Sequence, residues 1–288
     1  MKTKVLLCLL DKHKEINAQL KNAGIVESFL ESRMILKHVL SISDIEFIKC
    51  DTVQVSNEQI HIINQMVARR SSLEPLAYIL NSKSFWKNDF YVDNRVLIPR
   101  RDTEILIESF LDVYREPNIS IKVADIGCGS GCIILSLLQE YSVMYGIAVD
   151  VSFQALEVSR INCKKLYLEN RLLLLQSDVV SAFQANSLDA IVSNPPYIAQ
   201  NDEQLESAVY NYEPHIALFA GDNGLHFYKA ILISAQHLLK EGGTIFLEVG
   251  YNQIQLVKEI SIKQGFSVKK IVKDIQNIER ILVLEKKN

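Results

Sequence analysis

Residues 123–131 constrain the fold more than any other stretch, because they combine an apolar strand pattern with a glycine-rich turn. An apolar helical pattern over residues 132–138 follows this turn directly. Strand, glycine turn and helix in this order are typical of open α/β sheets, in which ligands lie at the carboxyl ends of the strands. The glycines are spaced G-x-G-x-G, so the spacing of dinucleotide-binding folds is absent. The turn therefore predicts a close approach of the backbone to a ligand, without the pyrophosphate spacing.

A polar residue follows each of the next three predicted strands. These strands and their polar residues are 143–149 with Asp150, 172–176 with Asp178, and 188–193 with Asn194. Because parallel strands end at the same edge of a sheet, these side chains are expected to lie there together with Asp125. Asp150 stands where an acid that binds the ribose of a cofactor is found. The sequence thus predicts a cofactor site at this edge.

The motif Asn194-Pro195-Pro196-Tyr197 ends the last of these strands. Two prolines fix φ and lack backbone donors, so they predict a rigid corner. The side-chain carbonyl of Asn194, backbone carbonyls and the flat face of Tyr197 suit a planar NH2 group. The lone pair of such a group is conjugated, and two acceptors that hold its hydrogens would aim the lone pair and stabilise the positive charge formed during attack. A proline-rich turn with a buried tyrosine is the alternative, and the glycine turn upstream favours the catalytic interpretation.

With these motifs the chain resembles the class I S-adenosylmethionine-dependent methyltransferases that act on planar nitrogen. More narrowly, it resembles the release factor glutamine N5-methyltransferases (PrmC/HemK family) over nearly its whole length. The narrower resemblance rests on the order of the motifs and on three further stretches, which are residues 75–79 (PLAYI), Phe85-Trp86 and residues 97–104 (LIPRRDTE). Two positions depart from the family pattern, since Arg101 replaces the usual proline and Val179 replaces a frequent aromatic residue.

The resemblance implies a fold and a reaction. The fold is a doubly wound, seven-stranded α/β sheet of the Rossmann-like class I methyltransferase type, with a small N-terminal helical bundle. The cofactor is S-adenosyl-L-methionine, the partners are class I peptide chain release factors, and the methylated group is the N5 amide nitrogen of the glutamine in their Gly-Gly-Gln motif.

The resemblance also implies the residues of the site. The expected cofactor-binding residues are Asp125, Gly127, Cys128, Gly129, Ser130, Gly131, Asp150, Asp178, Val179 and Asn194. The expected catalytic residues are Asn194, Pro195, Pro196 and Tyr197, and the expected residues of a substrate lip are Pro99, Arg100 and Glu104. No strong general base is expected beside them, because the proton can leave after nitrogen has become cationic.

Three segments are predicted along the chain. They are a helical domain over residues 1–82, a linking β-hairpin over residues 83–98 and the methyltransferase domain over residues 99–288. In the family resembled, the helical domain helps to grip the protein substrate. A bundle that only shields the catalytic domain is the alternative.

Local patterns predict where several elements begin and end. Ser43 with Glu46, and Ser56 with Gln59, match capping boxes that would each open a helix. The apolar residues between positions 5 and 20 predict a first helix. Further predictions are a cap at Asp102 or Thr103, a helix over 224–239, a strand over 244–249 and an antiparallel pair near 266–272 and 281–284.

Composition argues against several classes of protein. The 288 residues carry a net charge of −3, which argues against a strongly nucleic-acid-binding protein, and no direct nucleic-acid binding is expected. The five cysteines contain no C-x-x-C pair and the six histidines are scattered, so neither a disulfide framework nor a metal site is predicted. No apolar run approaches the roughly 20 residues of a membrane span, and we expect a cytoplasmic protein.

Two other functions remain open from the sequence. An adenine-N6 methyltransferase acting on DNA or RNA would use the same Asn-Pro-Pro-Tyr chemistry on a flipped base. A catalytically silent module with the same fold, which binds release factors or ribosomal proteins, is the other.

Overall fold

The computed structural model describes residues 4–178, 184–200, 206–221 and 223–287. The chain divides into two compact units, Met1–Ser82 and Lys83–Asn288. Within the described ranges, no helix is long and apolar enough to cross a membrane.

Over residues 4–82, the first unit contains five helices and a two-stranded antiparallel ribbon. The helices are α1 (Leu9–Asn22), α2 (Ser28–Leu40), α3 (Asp44–Lys49), α4 (Asn57–Ser71) and α5 (Leu76–Leu80), and the strands are β1 (Lys4–Cys8) and β2 (Thr52–Ser56). Both predicted capping boxes are confirmed, at Ser43 with Glu46 and at Ser56 with Gln59. The apolar faces of the helices form one core, which includes Ile16, Leu20, Ile35, Leu36, Ile63 and Val67.

The prediction of a single first helix from position 5 was wrong for its first residues. Residues Lys4–Cys8 form β1, and α1 begins at Leu9. The partner strand β2 has alternating β-branched residues, and its Val55 is fully buried opposite Val5. Alternation of this kind favours a strand, so the pairing with β2 overrides the helical spacing of the apolar residues.

The second unit is built on a seven-stranded sheet, which confirms the predicted fold class. Its strands are β5 (Lys122–Ile126), β6 (Tyr145–Asp150), β7 (Leu172–Gln176), β8 (Leu188–Ser193), β9 (Leu239–Glu248), β10 (Phe266–Lys273) and β11 (Glu279–Lys286). Their order is β10-β11-β9-β8-β5-β6-β7, and only the pairs made by β11 are antiparallel. The chain therefore winds outward in both directions from the β5/β8 pair, where open parallel sheets bind ligands.

Helices cover both faces of this sheet. They are α6 (Glu104–Val113), α7 (Cys132–Glu140), α8 (Phe153–Lys165), α9 (Ser207–Tyr212), α10 (His226–Leu238) and α11 (Ile254–Lys263), with short 3-10 helices at Arg101–Thr103 and His215–Ala217. Alternate residues of the central strand face opposite layers, since Val123 packs in one apolar cluster and Ala124 in the other. Both clusters are buried, so the strands are apolar on both faces, as parallel sheets require.

Two element boundaries differ from the prediction. The hairpin is shorter than expected, with strands β3 (Lys83–Phe85) and β4 (Asn88–Phe90), and its Phe85 and Phe90 pack into the core of the second unit. Strand β9 begins at Leu239, where the sequence predicts the end of a helix. Leu188 pairs with Leu239 but Ala190 pairs with Thr244. The strand register therefore shifts between these two pairs, in the part of β9 that contains its two glycines.

Candidate active site

The candidate site lies where four neighbouring parallel strands end. In the strand register, Ile126 of β5 pairs with Val149 of β6, and Ser193 of β8 pairs with Leu247 of β9. The Ser193 hydroxyl donates to the Ile126 carbonyl at 2.6 Å, which joins β8 to β5 at this edge. The residues that follow these pairs, Asn194 among them, are therefore brought together by the pleated sheet itself.

The glycine turn follows β5 and forms an open cradle. Gly127, Gly129 and Gly131 have φ values of +74°, +53° and +77°, a region that side chains with a Cβ rarely adopt. A Cβ added at Gly127 or Gly129 would meet nothing within 4 Å, whereas one at Gly131 would lie 2.9 Å from Ser159 Oγ. The first two glycines thus leave space for a ligand beside the backbone, and the third allows α7 to pack against α8.

Asp150 ends β6 and is held by the turn. Its Oδ2 accepts from the Gly129 N–H and its Oδ1 from the Ser152 N–H, both at 2.9 Å. Burial raises the pKa of the Asp150 carboxyl, and these backbone hydrogen bonds oppose that shift. A carboxylate oxygen can accept more than one hydrogen bond, so Asp150 can still accept from the hydroxyls of a ribose.

Asp125 lies beneath the turn and is fully buried. Its Oδ2 accepts from the Ile134 N–H at 3.3 Å, and burial raises the pKa of its carboxyl to about 7. Its Oδ1 has no hydrogen-bond partner within the described ranges. A buried, unpaired carboxylate oxygen beside an open glycine cradle suits a ligand with a cationic or hydrogen-bond-donating group. The turn, Asp150 and Asp125 thus fit S-adenosylmethionine, which carries ribose hydroxyls, an amino group and a sulfonium.

The corner after β8 is fixed from several sides. Pro195 is buried, and the Tyr197 carbonyl accepts from Gln253 Nε2 at 3.0 Å. A Cβ at Gly224 would lie 2.4 Å from this carbonyl, and one at Gly250 would lie 2.9 Å from the Tyr197 ring. Burial raises the pKa of the Tyr197 phenol to about 12. Close backbone packing therefore holds the corner and its aromatic ring in one position.

Asn194 is anchored through its amide nitrogen. Its Nδ2 donates to Thr103 Oγ1 at 3.1 Å, and its side chain lies close enough to the Glu248 carboxyl to lower the pKa of that group. Because Ser193 and Leu247 are register partners, Asn194 and Glu248 follow side by side at the ends of β8 and β9. With its NH2 group engaged, Asn194 has its carbonyl oxygen available as an acceptor.

Glu248 is a buried carboxyl group at the strand end next to Asn194, and only 3% of its surface is exposed. Burial raises the pKa of its carboxyl to about 7, while hydrogen bonding by Thr103 and the charge of Arg280 oppose this shift. Its Oε2 has no hydrogen-bond partner among the residues that the structure describes. Glu248 is not among the site residues predicted from the sequence.

The predicted lip is tied to the segment that follows the corner. Glu213 is buried, and its carboxylate accepts from the Ile98 N–H at 3.1 Å and from Arg100 Nη2 at 2.5 Å. Arg100 is partly exposed in this ion pair, whereas Pro99 is buried. The pair joins residues that are 113 positions apart, so it fixes the lip against the chain beyond Tyr197.

Most of the predicted site residues lie at the carboxyl edge of the sheet, and a few lie elsewhere. It brings Asp125, the glycine turn, Asp150 and the Asn194 corner to one edge. Cys128 and Ser130 are buried, Asp178 is exposed after β7, and Val179 lies outside the described residues. The carboxylate of Glu104 accepts from the Trp86 N–H at 3.0 Å, which binds it to the hairpin.

The predicted helix cap has the expected position but not the expected hydrogen bond, and three residues near the site were not predicted. Of the two predicted caps, Asp102 and Thr103, Thr103 is the N-cap residue of α6, but its side chain makes no capping hydrogen bond because its hydroxyl accepts from Asn194. Glu213, Glu248 and Gln253 were not predicted as site residues. Glu248 ends an apolar strand, which is the same signal that identifies Asp150, whereas the contacts of Glu213 depend on distant backbone and carry no local pattern.

Comparison with known proteins agrees with this geometry. The Methyltransferase small domain matches residues 101–211, and the PrmC N-terminal domain matches residues 13–80. A protein of Caulobacter vibrioides named release factor glutamine methyltransferase is 34% identical over 266 residues, which cover 92% of each chain. The chain belongs to the release factor glutamine methyltransferase family. This membership confirms the resemblance deduced from the motifs.

Some relatives in this family are longer. A Rickettsia felis protein named bifunctional methyltransferase is 34% identical over 294 residues, which cover 92% of this chain and 55% of that protein. The chain thus spans about half the length of the bifunctional relatives that it matches. Among solved structures, a methyltransferase from Pyrococcus furiosus matches with a TM-score of 0.51 and 18% identity. The match covers 81% of this chain and 100% of the Pyrococcus chain. That likeness shows the fold alone.

Proposed function

We propose that this protein transfers a methyl group from S-adenosylmethionine to the N5 amide nitrogen of the glutamine in the Gly-Gly-Gln motif of class I peptide chain release factors. The observation that carries the proposal is the anchored Asn194, whose NH2 group donates to Thr103 Oγ1 at 3.1 Å. Because the NH2 group is the donor in this bond, the carbonyl oxygen is the group of Asn194 that can accept from a substrate. The names of the family members at 34–35% identity, release factor glutamine methyltransferases of three organisms, support this choice of substrate.

The residues at the strand ends divide the binding of the cofactor between them. The open side of Gly127 and Gly129 accepts a ligand close to the backbone, and Asp150 accepts from ribose hydroxyls. The unpaired Oδ1 of Asp125 attracts the amino group of the methionyl part. When bound, S-adenosylmethionine supplies an electrophilic methyl group on its sulfonium.

Asn194 and the carbonyl of Pro195 prepare the substrate nitrogen. An amide nitrogen is a poor nucleophile, because its lone pair is delocalised into the carbonyl. Two acceptors that grip its hydrogens orient the lone pair and stabilise the positive charge that develops on nitrogen. Orientation of the reacting groups can lower a barrier by about 7–11 kcal/mol. The rigid corner is suited to this role, since Tyr197 is fixed by Gln253, Gly224 and Gly250.

The first unit is proposed to dock the release factor. It corresponds to a separate PrmC N-terminal domain match and has a core of its own. Helix α2 presents exposed apolar side chains at Phe29 and Leu30, which a protein partner can cover. The reaction would take place in the cytoplasm, where release factors act, and no direct contact with nucleic acid is required.

A parallel methylation assay tests the proposed function. The protein is incubated with S-adenosylmethionine and either a class I release factor or an adenine-containing duplex oligonucleotide, and the intact masses of both are measured. A gain of one methyl group by the factor alone supports the proposal. Methylation of the oligonucleotide with an unmodified factor would assign the protein to the adenine-N6 enzymes. No transfer to either, with no binding of the cofactor, would favour the silent module.

A further inference from the structure

The side chain of Asn194 can present two different groups to a substrate. Rotation of the amide by half a turn exchanges its carbonyl oxygen, an acceptor, for its NH2 group, a donor. Only the oxygen can hold the hydrogens of a glutamine NH2 group, so one of the two orientations is inactive. Something in the protein must select the active one.

Two neighbours of Asn194 can make this selection. Thr103 Oγ1 lies 3.1 Å from Asn194 Nδ2. The buried Glu248 carboxyl lies beside both side chains, since each of them lowers its pKa, and Asn194 and Glu248 follow register partners of neighbouring strands. Thr103 comes from the 3-10 helix before α6, and Glu248 from the end of β9. All three groups are held by separate elements, and both Thr103 and Glu248 are buried.

We infer that Glu248, acting directly and through Thr103, is a positioning residue that fixes the amide of Asn194 with its oxygen toward the substrate. This inference rests on the proposed function, because it assigns the substrate as a donor of hydrogen bonds. It adds Thr103 and Glu248 to the residues that determine the rate, although neither touches the reacting nitrogen.

The selection depends on the ionised form of Glu248. A carboxylate can only accept hydrogen bonds, so it requires the Thr103 hydroxyl and the Asn194 NH2 group to point toward it. A protonated Glu248 can donate instead, and its hydrogen can satisfy Thr103 or the Asn194 oxygen. The amide then loses its fixed direction, and the donor end of Asn194 can turn toward the substrate.

Glu248 is placed to change its protonation near neutral pH. Burial raises the pKa of its carboxyl to about 7. The charged and titratable groups that face it from the surrounding elements are Asp102 of the 3-10 helix, Arg280 of β11 with its partner Asp274, Tyr197 after β8, Tyr228 of α10 and Cys132 of α7. Arg280 favours the carboxylate and Asp102 opposes it, so these two charges act in opposite directions.

The kinetic test compares Glu248→Gln with wild type. The substitution keeps the shape of the side chain but introduces an amide that can donate, so we expect kcat to fall about 10²-fold, the cost of a small misplacement in a site. The dissociation constant of S-adenosylmethionine should change far less. Glu241→Gln, an exposed glutamate of the same strand, is the matched control.

A pH profile separates positioning from a structural role. In wild type, kcat should rise as the pH increases through the pKa of Glu248, because the carboxylate fixes Asn194 in the active direction. In Glu248→Gln this part of the rise should be absent. Asp125, whose pKa is also about 7, titrates in both proteins, so the difference between the two profiles reports Glu248.

Thr103 provides an independent pair of variants. Thr103→Val removes the hydroxyl, whereas Thr103→Ser keeps it and should restore most of the rate that Thr103→Val loses. Because hydrogen bonding by Thr103 lowers the pKa of Glu248, Thr103→Val should raise that pKa. The infrared band of the protonated Glu248 carboxyl, identified by its loss in Glu248→Gln, should then persist to higher pH.

The orientation itself can be observed without substrate or cofactor. The side-chain amide resonance of Asn194, assigned by its loss in Asn194→Ala, should shift with pH in wild type and stay constant in Glu248→Gln. An unchanged resonance, or equal kcat values for Glu248→Gln and wild type, would overturn the inference. If wild type does not methylate release factor at all, the proposed function fails, and this resonance alone still decides whether Glu248 controls Asn194.

Discussion

Asn194 and Thr103 lie 91 positions apart in the chain, yet Asn194 Nδ2 donates a hydrogen bond to Thr103 Oγ1 at 3.1 Å. The bond connects the corner after β8 with the 3-10 helix that precedes α6. It brings the segment around residues 97–104, the predicted substrate lip, into contact with the candidate active site. Catalysis should therefore respond to changes on both sides of this contact.

The first prediction concerns Asn194 itself. Asn194→Ala removes the acceptor that stabilises developing charge, and kcat should fall by about 10²–10³, as for the loss of other charge-stabilising groups. The affinity for S-adenosylmethionine, measured by calorimetry, should fall much less. Asn118→Ala, at an exposed position, is the control. Equal losses in affinity and in kcat would mean that Asn194 mainly holds the cofactor.

The sequence predicts the sheet and most of the edge where the site lies. Apolar strands, their order and the polar residues after them are local patterns, and parallel strands bring their carboxyl ends together whatever the loops do. Asp125, Asp150 and Asn194 were therefore predictable from position alone. The glycine turn was predictable as well, since positive φ values at Gly127, Gly129 and Gly131 require glycine.

The remaining features depend on contacts between distant residues. Glu213 reaches Ile98 and Arg100 across 115 and 113 positions, and no local spacing encodes such a pair. Thr103 has the sequence pattern of a helix cap. Its hydroxyl accepts a hydrogen bond from Asn194 and not from a backbone N–H of α6. The strand β1 was missed for the same reason, because its stability comes from the pairing of Val5 with Val55 in β2.

A pair of glycine variants should separate cofactor binding from stability. Both Gly129→Ala and Gly131→Ala place a Cβ at positive φ, which costs roughly 1–2 kcal/mol. Only Gly131→Ala adds a collision, at 2.9 Å from Ser159 Oγ, so it should lower the melting temperature more. Gly129→Ala should chiefly weaken S-adenosylmethionine binding, because its Cβ would enter the open cradle. A reversed ranking in calorimetry and thermal unfolding would contradict the proposed position of the cofactor.

Glu248 should make the stability of the protein depend on pH. Its pKa is raised from 4.5 to about 7 in the folded state, so between these values the folded protein keeps a proton that the unfolded chain has released. The free energy of unfolding therefore falls as the pH rises through this window, by on the order of 3 kcal/mol from this group. Urea denaturation across the window measures this fall.

Glu248→Gln should remove that contribution. At about pH 8 the variant should be more stable than wild type, although it is slower, because no carboxylate has to be buried. At about pH 5 the two proteins should differ much less, since Glu248 is then protonated in the folded state. A variant that is less stable than wild type at the higher pH would show that the carboxylate is stabilised by its partners.

The ion pair of Arg100 with Glu213 should act as one unit. Arg100→Ala and Glu213→Ala each break the contact between the lip and the chain beyond Tyr197. The loss in kcat/KM for release factor in the double variant, expressed as a free energy, should therefore be smaller than the sum of the losses in the two single variants. A coupling energy of about 0.5–3 kcal/mol is expected for residues in direct contact. Additive losses would mean that the two residues contribute separately. Arg115→Ala, at an exposed arginine, controls for loss of charge.

Removal of residues 1–82 tests the docking role of the first unit. The truncated protein should still bind S-adenosylmethionine, because the glycine turn, Asp125 and Asp150 all belong to the second unit. Its KM for intact release factor should rise strongly, as the apolar surface that includes Phe29 is lost. Normal methylation of the intact factor by the truncated protein would refute a docking role and favour a shielding one.

The most direct test of the account is the location of the transferred methyl group. A class I release factor is incubated with the protein and S-adenosylmethionine, digested and fragmented in a mass spectrometer, in parallel with a sample treated with Asn194→Ala. One added methyl group is expected on the glutamine of the Gly-Gly-Gln motif, and it should be nearly absent with the variant. A methyl group on another residue, or equal modification by Asn194→Ala, would contradict it.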